Sequence, residues 1–351
     1  MVRLINDFTR VCKTTENGEL CFCDFRINIY ECSNSEFYVI VGKILVTICI
    51  LATLMGCGLL TYLIRVKKQP FFLSATRERG WLRPRPLHSY HLIVIGYMSF
   101  EAIHLILLIT ESYPSIKAAE IGNILINVVS ASISIFYTVS IVYSTPNTKF
   151  NEKFELSTGE KGINTRFVDM IGIILFLLPI VTWLPLASLT GHFAELNDIK
   201  TANLYFTAHF LALVVWEIIY ISVLAYFWYK LMSVIKSYIK VMEERHISSG
   251  TTDNGSYVES IKKSTRNITV PVMAIFFGLL FQAIIYLIMS LTYRSTTIYS
   301  FGWNLFYYWI EYVAFPLLGL SVESLLVFFT MKNNKKLPAS PGNSSSSKTR
   351  N

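Results

Sequence analysis

Residues 37–64 read FYVIVGKILVTICILATLMGCGLLTYLI, a run whose one charged side chain is Lys43. In helical form, at about 1.5 Å per residue, such a run crosses a hydrocarbon layer of roughly 30 Å. Six further blocks of the same kind follow: Tyr90–Thr110, Ala118–Tyr143, Met170–Leu189, Leu204–Tyr229, Ile268–Tyr293 and Leu305–Thr330. None shows the apolar/polar alternation of a barrel strand, and each is long for a globular helix. Of the 351 residues, 53% are hydrophobic and 15% charged, which is too apolar for an ordinary soluble domain. The chain therefore reads as an all-α membrane protein, a seven-transmembrane helix bundle over residues 37–330. A Cys-rich tail (1–36) precedes the bundle, and a disordered Ser-rich tail (331–351) follows it.

Basic residues predict the orientation, because Lys- and Arg-rich loops stay in the cytoplasm. The loops 65–86, 145–169 and 230–267, with the carboxyl tail, hold 23 Lys and Arg; the alternate set holds seven. The amino terminus is thus expected outside and the carboxyl terminus in the cytoplasm. The net charge of +8 follows from this bias without nucleic-acid binding, and the basic face suits anionic lipid. The sequons at Asn254, Asn267 and Asn343 fall on the expected cytoplasmic side and are read as unused. Residues 1–36 hold no apolar signal core, so the first helix is expected to target the chain. The plasma membrane is the expected destination.

Cys12, Cys21, Cys23 and Cys32 crowd the tail, whereas Cys49 and Cys57 lie in the first block. Four cysteines in a short segment facing an oxidising compartment predict two disulfides. Cys21 and Cys23 should take different partners, and three connectivities are possible. Cys49 and Cys57 are expected to be packing residues.

Periodicity continues past the fifth block through Leu231, Val234, Ile235, Tyr238, Ile239 and Met242, so that helix should project beyond the membrane. Residues 248–255 read as a flexible linker. The first cytoplasmic loop carries Arg77, Arg79, Arg83 and Arg85 around Trp81, an interfacial anchor. Prolines interrupt the fourth helix (Pro179, Pro185), the sixth (Pro271) and the seventh, where Pro316 with Gly319 is placed as a hinge.

Ionisable groups at membrane depth face a bundle interior or a wet cavity. Glu101, His104, Asn127, His209, Glu217, Gln282 and Glu311 are biased to the outer half and form the expected ligand-binding set. Glu323 lies in the inner third. Lys43 and Glu311 sit at matching depths on the first and last helices, which are neighbours in a closed bundle. They are expected to form an ion pair.

Enzyme signatures fail. All six histidines precede residue 247, His88 and His91 lack an evident third ligand, and no intramembrane-protease motif occurs. The last block holds no lysine for a Schiff base. No enzyme activity, no metal and no cofactor is expected. Seven helices, an outward amino terminus, a long third cytoplasmic loop and a serine-rich tail resemble the G-protein-coupled receptors. The resemblance is one of topology over residues 37–330. The third block ends Ser140-Ile141-Val142-Tyr143 where the rhodopsin-like family has an acidic residue, Arg and Tyr, and Phe315-Pro316 stands in place of Asn-Pro. The resemblance implies a receptor for an extracellular ligand that signals to a heterotrimeric G protein or another cytoplasmic transducer. A small-solute transporter or channel is the alternative; a membrane scaffold recruiting cytoplasmic partners is the next.

Overall fold

The computed structural model describes residues 4–16, 18–73, 82–144, 165–249 and 253–334. Arg77, Arg79, Trp81 and the serine run of the carboxyl tail lie outside the described residues.

Among the described residues, seven helices are long and apolar enough to cross a membrane. They are α1 (Ser35–Thr61, continued as a π turn over Tyr62–Val66), α2 (Pro86–Ile109), α3 (Ile116–Ser144), α4 (Thr165–Glu195), α5 (Ile199–Ser249) and α6 (Asp253–Thr292). The seventh, α7, comes in three consecutive pieces: Phe301–Tyr308, a π segment Trp309–Ala314, and Phe315–Asn334. Before them a hairpin pairs β1 (Arg10–Thr15) with β2 (Gly18–Cys23) antiparallel. All seven helices coincide with the apolar blocks, because the blocks satisfy their backbone groups internally.

α1 buries Tyr38, Gly42, Leu45, Cys49, Ala52, Gly56 and Leu59, a three-and-four spacing that marks one helix face. Pro86 opens α2, where its missing N–H costs no hydrogen bond. Each helix from α1 to α5 packs along the next, and α7 packs along α1. Among the described residues, α6 and α7 do not run closely side by side. They meet at one end, where the Tyr293 hydroxyl donates to Asn304 Oδ1 (3.1 Å) and the Tyr293 and Tyr307 rings lie 5.8 Å apart.

Helix α5 runs for 51 residues, about 75 Å, more than twice a hydrocarbon layer. The projection expected from its periodicity is present. The expected linker over 248–255 is corrected: α5 continues through Ser249, and α6 already starts at Asp253 rather than at Ile268. The polar opening turns of α6 carry no apolar signal but extend the helix alongside α5.

The amino-terminal tail does not stand apart from the bundle. Phe8, Phe25, Ile27 and Ile29 are buried in the same core as the helices. The end of the bundle that receives them is called here the tail end, and the opposite end the far end.

Close backbone approach is sharpest where α4 meets the start of α3. A Cβ on Gly191 would lie 2.3 Å from Lys117 Cα, a backbone atom that cannot step aside. Gly278 on exposed α6 meets nothing within 4 Å. Gly191→Ala should therefore destabilise the purified protein by about 1–3 kcal/mol in thermal unfolding, as overpacking does. Gly278→Ala should leave the unfolding temperature unchanged or slightly higher. Equal effects at the two sites would show that the α3–α4 contact is misplaced.

Candidate functional site

Two disulfides shape the tail. Cys12 pairs with Cys21, directly opposite in the hairpin register, and Cys23 pairs with Cys32. Cys21 and Cys23 thus take different partners, as their spacing requires, and Cys49 and Cys57 are free. The Cys23–Cys32 bridge closes a short loop whose side chains enter the bundle.

At the centre of that loop is Arg26, with 0% of its surface exposed. Its guanidinium grips Asp24 through Nε (3.0 Å) and Nη2 (2.7 Å), and reaches Glu120 of α3 at 3.2 Å and 3.3 Å. The Phe206 ring of α5 lies 4.7 Å from the guanidinium carbon. Arg294, just beyond α6, donates to Asp24 Oδ2 (3.1 Å), to Asn203 Oδ1 of α5 and to the Phe8 carbonyl. Two arginines and two carboxylates thus form a buried quartet. Burial works to lower the pKa of Arg26, but Asp24 and then Glu120 outweigh it and hold it well above the ordinary value. Burial pulls Arg294 below its ordinary value despite Asp24. Arg26 is the better-compensated cation.

Further ties fix the loop to the other helices. Asn6 Nδ2 donates to the Ala194 carbonyl of α4, Asn304 Nδ2 of α7 to the Cys23 carbonyl, and the Tyr30 hydroxyl to the Ile109 carbonyl of α2. Phe25 sits among the rings of Tyr38, Tyr293, Tyr308 and Tyr312, at centroid distances of 5.4 to 6.3 Å. Every helix therefore touches the tail or a residue bound to it.

Beneath the quartet lies a second polar layer. The single hydroxyl proton of Tyr312 goes to Asn123 Oδ1, so Tyr312 accepts from His104 Nε2 at 3.1 Å. His104 Nδ1 then accepts from the Tyr113 hydroxyl at 2.6 Å. His104 is a joint between α2, α3 and α7.

Of the remaining expected site residues, Asn127, Glu217 and Gln282 line one cavity of about 50 Å³ with Trp183, Trp216 and Tyr220. A water needs about 10–15 Å³ on this measure, so the cavity has room for a few. Gln282 Nε2 donates to the Tyr286 hydroxyl (2.7 Å), which donates to Asn127 Oδ1 (3.2 Å). His209 is buried against Phe210, with neither ring nitrogen hydrogen-bonded. The charge of Glu311, in the π segment of α7, acts on Glu101 of α2; the Tyr97 side chain stands beside Glu101, Asn123 stands beside Glu311, and Arg26 is a cation that acts on Glu311. The Tyr97 hydroxyl caps the Glu311 carbonyl at 3.2 Å.

The expected ion pair between Lys43 and Glu311 is not made. α1 turns Gly42 and Leu45 inward and leaves Lys43 on its exposed side beside Ile40 and Ile44, while the Glu311 oxygens are buried. The rotation of α1 turns Lys43 away from the buried face. A hinge is expected from the sequence at Pro316 and Gly319. The departure from α geometry lies in the turns before Pro316, and Gly319 is a close contact, since a Cβ there would lie 2.3 Å from Met98 Cε of α2.

Sequence reading missed the quartet. Its signal was the stretch Phe22–Tyr30, where apolar residues surround Asp24 and Arg26 between two cysteines. It also missed His91 Nδ1 against Glu323 Oε1 (2.8 Å), a buried contact of α2 with α7 toward the far end.

Removing the Arg26 charge leaves two buried carboxylates to share Arg294, which touches only Asp24 of the two, so Arg26→Met should cost about 3–5 kcal/mol in thermal unfolding of the purified chain. Glu120→Gln, added to Arg26→Met, should cost less than it does alone. Strict additivity of the two would refute the pairing.

No known protein family, curated protein or solved structure matches the chain.

Proposed function

We propose that the protein is a receptor-like molecule of the plasma membrane, with the tail end outside, that passes a stimulus at its outer half to partners in the cytoplasm. The excess of Lys and Arg in alternate loops supports the orientation, and so do two disulfides in the tail, which suit an oxidising compartment.

The observation that carries the reading is the seating of Arg26. One loop residue on the tail side is bonded to α3 and stacked on α5, and through Asp24 it shares Arg294 with the end of α6. An event that shifts this loop changes the packing of helices whose other ends project as the paired extensions of α5 and α6. That is a population shift between two packings, driven from one side and read on the other. Resemblance to the G-protein-coupled receptors makes a heterotrimeric G protein the first transducer to test.

A transport path finds less support. Between the Glu101–Glu311 layer and the His91–Glu323 contact, α2 and α7 meet through the Tyr97 and Phe315 rings and through Met98 against Gly319, and the Tyr97 hydroxyl is spent on the Glu311 carbonyl.

In cells, Arg26→Ala at matched surface level should change G-protein recruitment measured by energy transfer, as should the pair Cys23→Ser, Cys32→Ser that opens the loop. Unchanged recruitment in both variants, together with solute flux through liposomes holding the wild-type chain, would overturn the receptor reading in favour of a transporter.

A further inference from the structure

We infer that the cavity walled by α3, α4, α5 and α6 binds a small organic monocation, a primary alkylammonium of about three to five heavy atoms. The cavity carries this assignment whether or not the chain is a receptor.

One face of each of three helices lines the space. α3 supplies Ser130 and Ser134, α5 Glu217 and Tyr220, and α6 Gln282 and Tyr286, each pair three or four residues apart. The volume is about 50 Å³, and at about 10–15 Å³ for each water-sized position it holds about three to five heavy atoms. One group in it is left over. Glu217 is 5% exposed, and its Oε2 is buried without a hydrogen-bond partner. The two phenols that share the cavity with it are committed elsewhere. Tyr286 donates to Asn127 Oδ1, and Tyr220 donates to the Ser134 carbonyl at 3.0 Å. Among the described residues no cation acts on Glu217, whereas Arg26 acts on both Glu120 and Glu311.

Glu217 lies at the middle of the apolar span Ile199–Ser237, where a carboxylate needs a cation, a donor or a proton. The wall selects among cations. Trp183 and Trp216 meet edge to face at 5.7 Å between centroids, and Trp216 lies parallel to the Tyr220 ring at 6.4 Å. Tyr286 adds a fourth aromatic side chain. Such rings attract an organic cation that has shed its water, whereas a hard inorganic cation needs oxygens around it. An ammonium group bonded to Glu217 has further N–H donors, which suit the hydroxyl oxygens of Ser130 and Ser134. Trp183 Nε1, also buried without a partner, is a donor for a water that enters with the cation. An anion would meet the Glu217 charge and be repelled.

The probe is fluoroethylammonium, titrated against the full chain in phosphatidylcholine nanodiscs and followed by fluorine NMR line width, with empty nanodiscs as the blank. So few atoms limit Kd to roughly 0.05 mM or weaker, so the titration runs through the millimolar range. Broadening should saturate, and ethylammonium should reverse it, while propionate and sodium chloride at the same ionic strength should not. Glu217→Gln keeps the shape, removes the charge and should weaken binding by about tenfold or more. Ala131→Val adds methyl groups to the cavity wall without touching a charge. It should weaken binding too, and it decides the matter if Glu217→Gln fails to fold. Broadening no greater than in empty nanodiscs would mean lipid only, and displacement by sodium would give the site to an inorganic ion. Unchanged affinity in Ala131→Val would put the probe elsewhere, and unchanged affinity in Glu217→Gln would mean a protonated glutamate in a merely wet cavity. Each of these results overturns the assignment. Binding is read without any transducer, so its absence leaves the receptor reading to the Arg26→Ala recruitment measurement.

Discussion

A guanidinium withdrawn from water must be met by carboxylates, and Arg26 is where this chain meets that demand. Asp24 comes from the same short loop, so one half of the pairing is local. Glu120 comes from α3, and Arg294 then balances the second negative charge. The quartet closes at zero net charge, and none of its members is tolerable alone. Because its parts come from the tail, from the start of α3 and from the end of α6, it sets where those pieces stand. The Phe25 cluster, the Tyr293 junction and the burial of Phe8 are consequences of that placement.

α7 is the least regular of the helices, and its irregularity is placed with the polar layers. A π turn widens the backbone over Trp309–Ala314, next to Pro316, whose missing N–H already breaks the ladder. The widening separates two duties. Tyr308 and Tyr312 turn toward Tyr38 and His104, while Glu311 takes the side of Tyr307. The Tyr97 hydroxyl meets a carbonyl that the altered ladder leaves available.

The bundle was legible because hydropathy is a property of single residues summed along a window. Seven blocks predict seven helices whatever the neighbours do. Contacts depend on rotation, which the blocks leave open. Lys43 and Glu311 stand at matching positions along their blocks, yet a turn of α1 that faces Gly42 inward carries Lys43 away. The polar start of α6 was unreadable for the opposite reason, since a helix packed beside another needs no apolar window of its own. Asp24 and Arg26 read as tail charges, and Glu120 and Arg294 as ordinary charges at block ends; only folding shows that the four converge. Cysteine spacing narrowed the pairing, and the hairpin register, with Cys12 opposite Cys21, leaves Cys23 for Cys32.

The disulfide-closed loop also imposes an order on biosynthesis. Its two ends are bridged within the first 32 residues, so a ribosome has made the complete loop before any helix exists to receive it. Glu120 emerges later, and Arg294 and Asn304 only after six helices have been made. Until then Arg26 has one carboxylate where the mature protein gives it two. The loop must wait without these later partners while the helices that carry them are made. Its docking is therefore the last event of assembly, and a nascent chain truncated before Arg294 would leave it undocked for any chaperone to find.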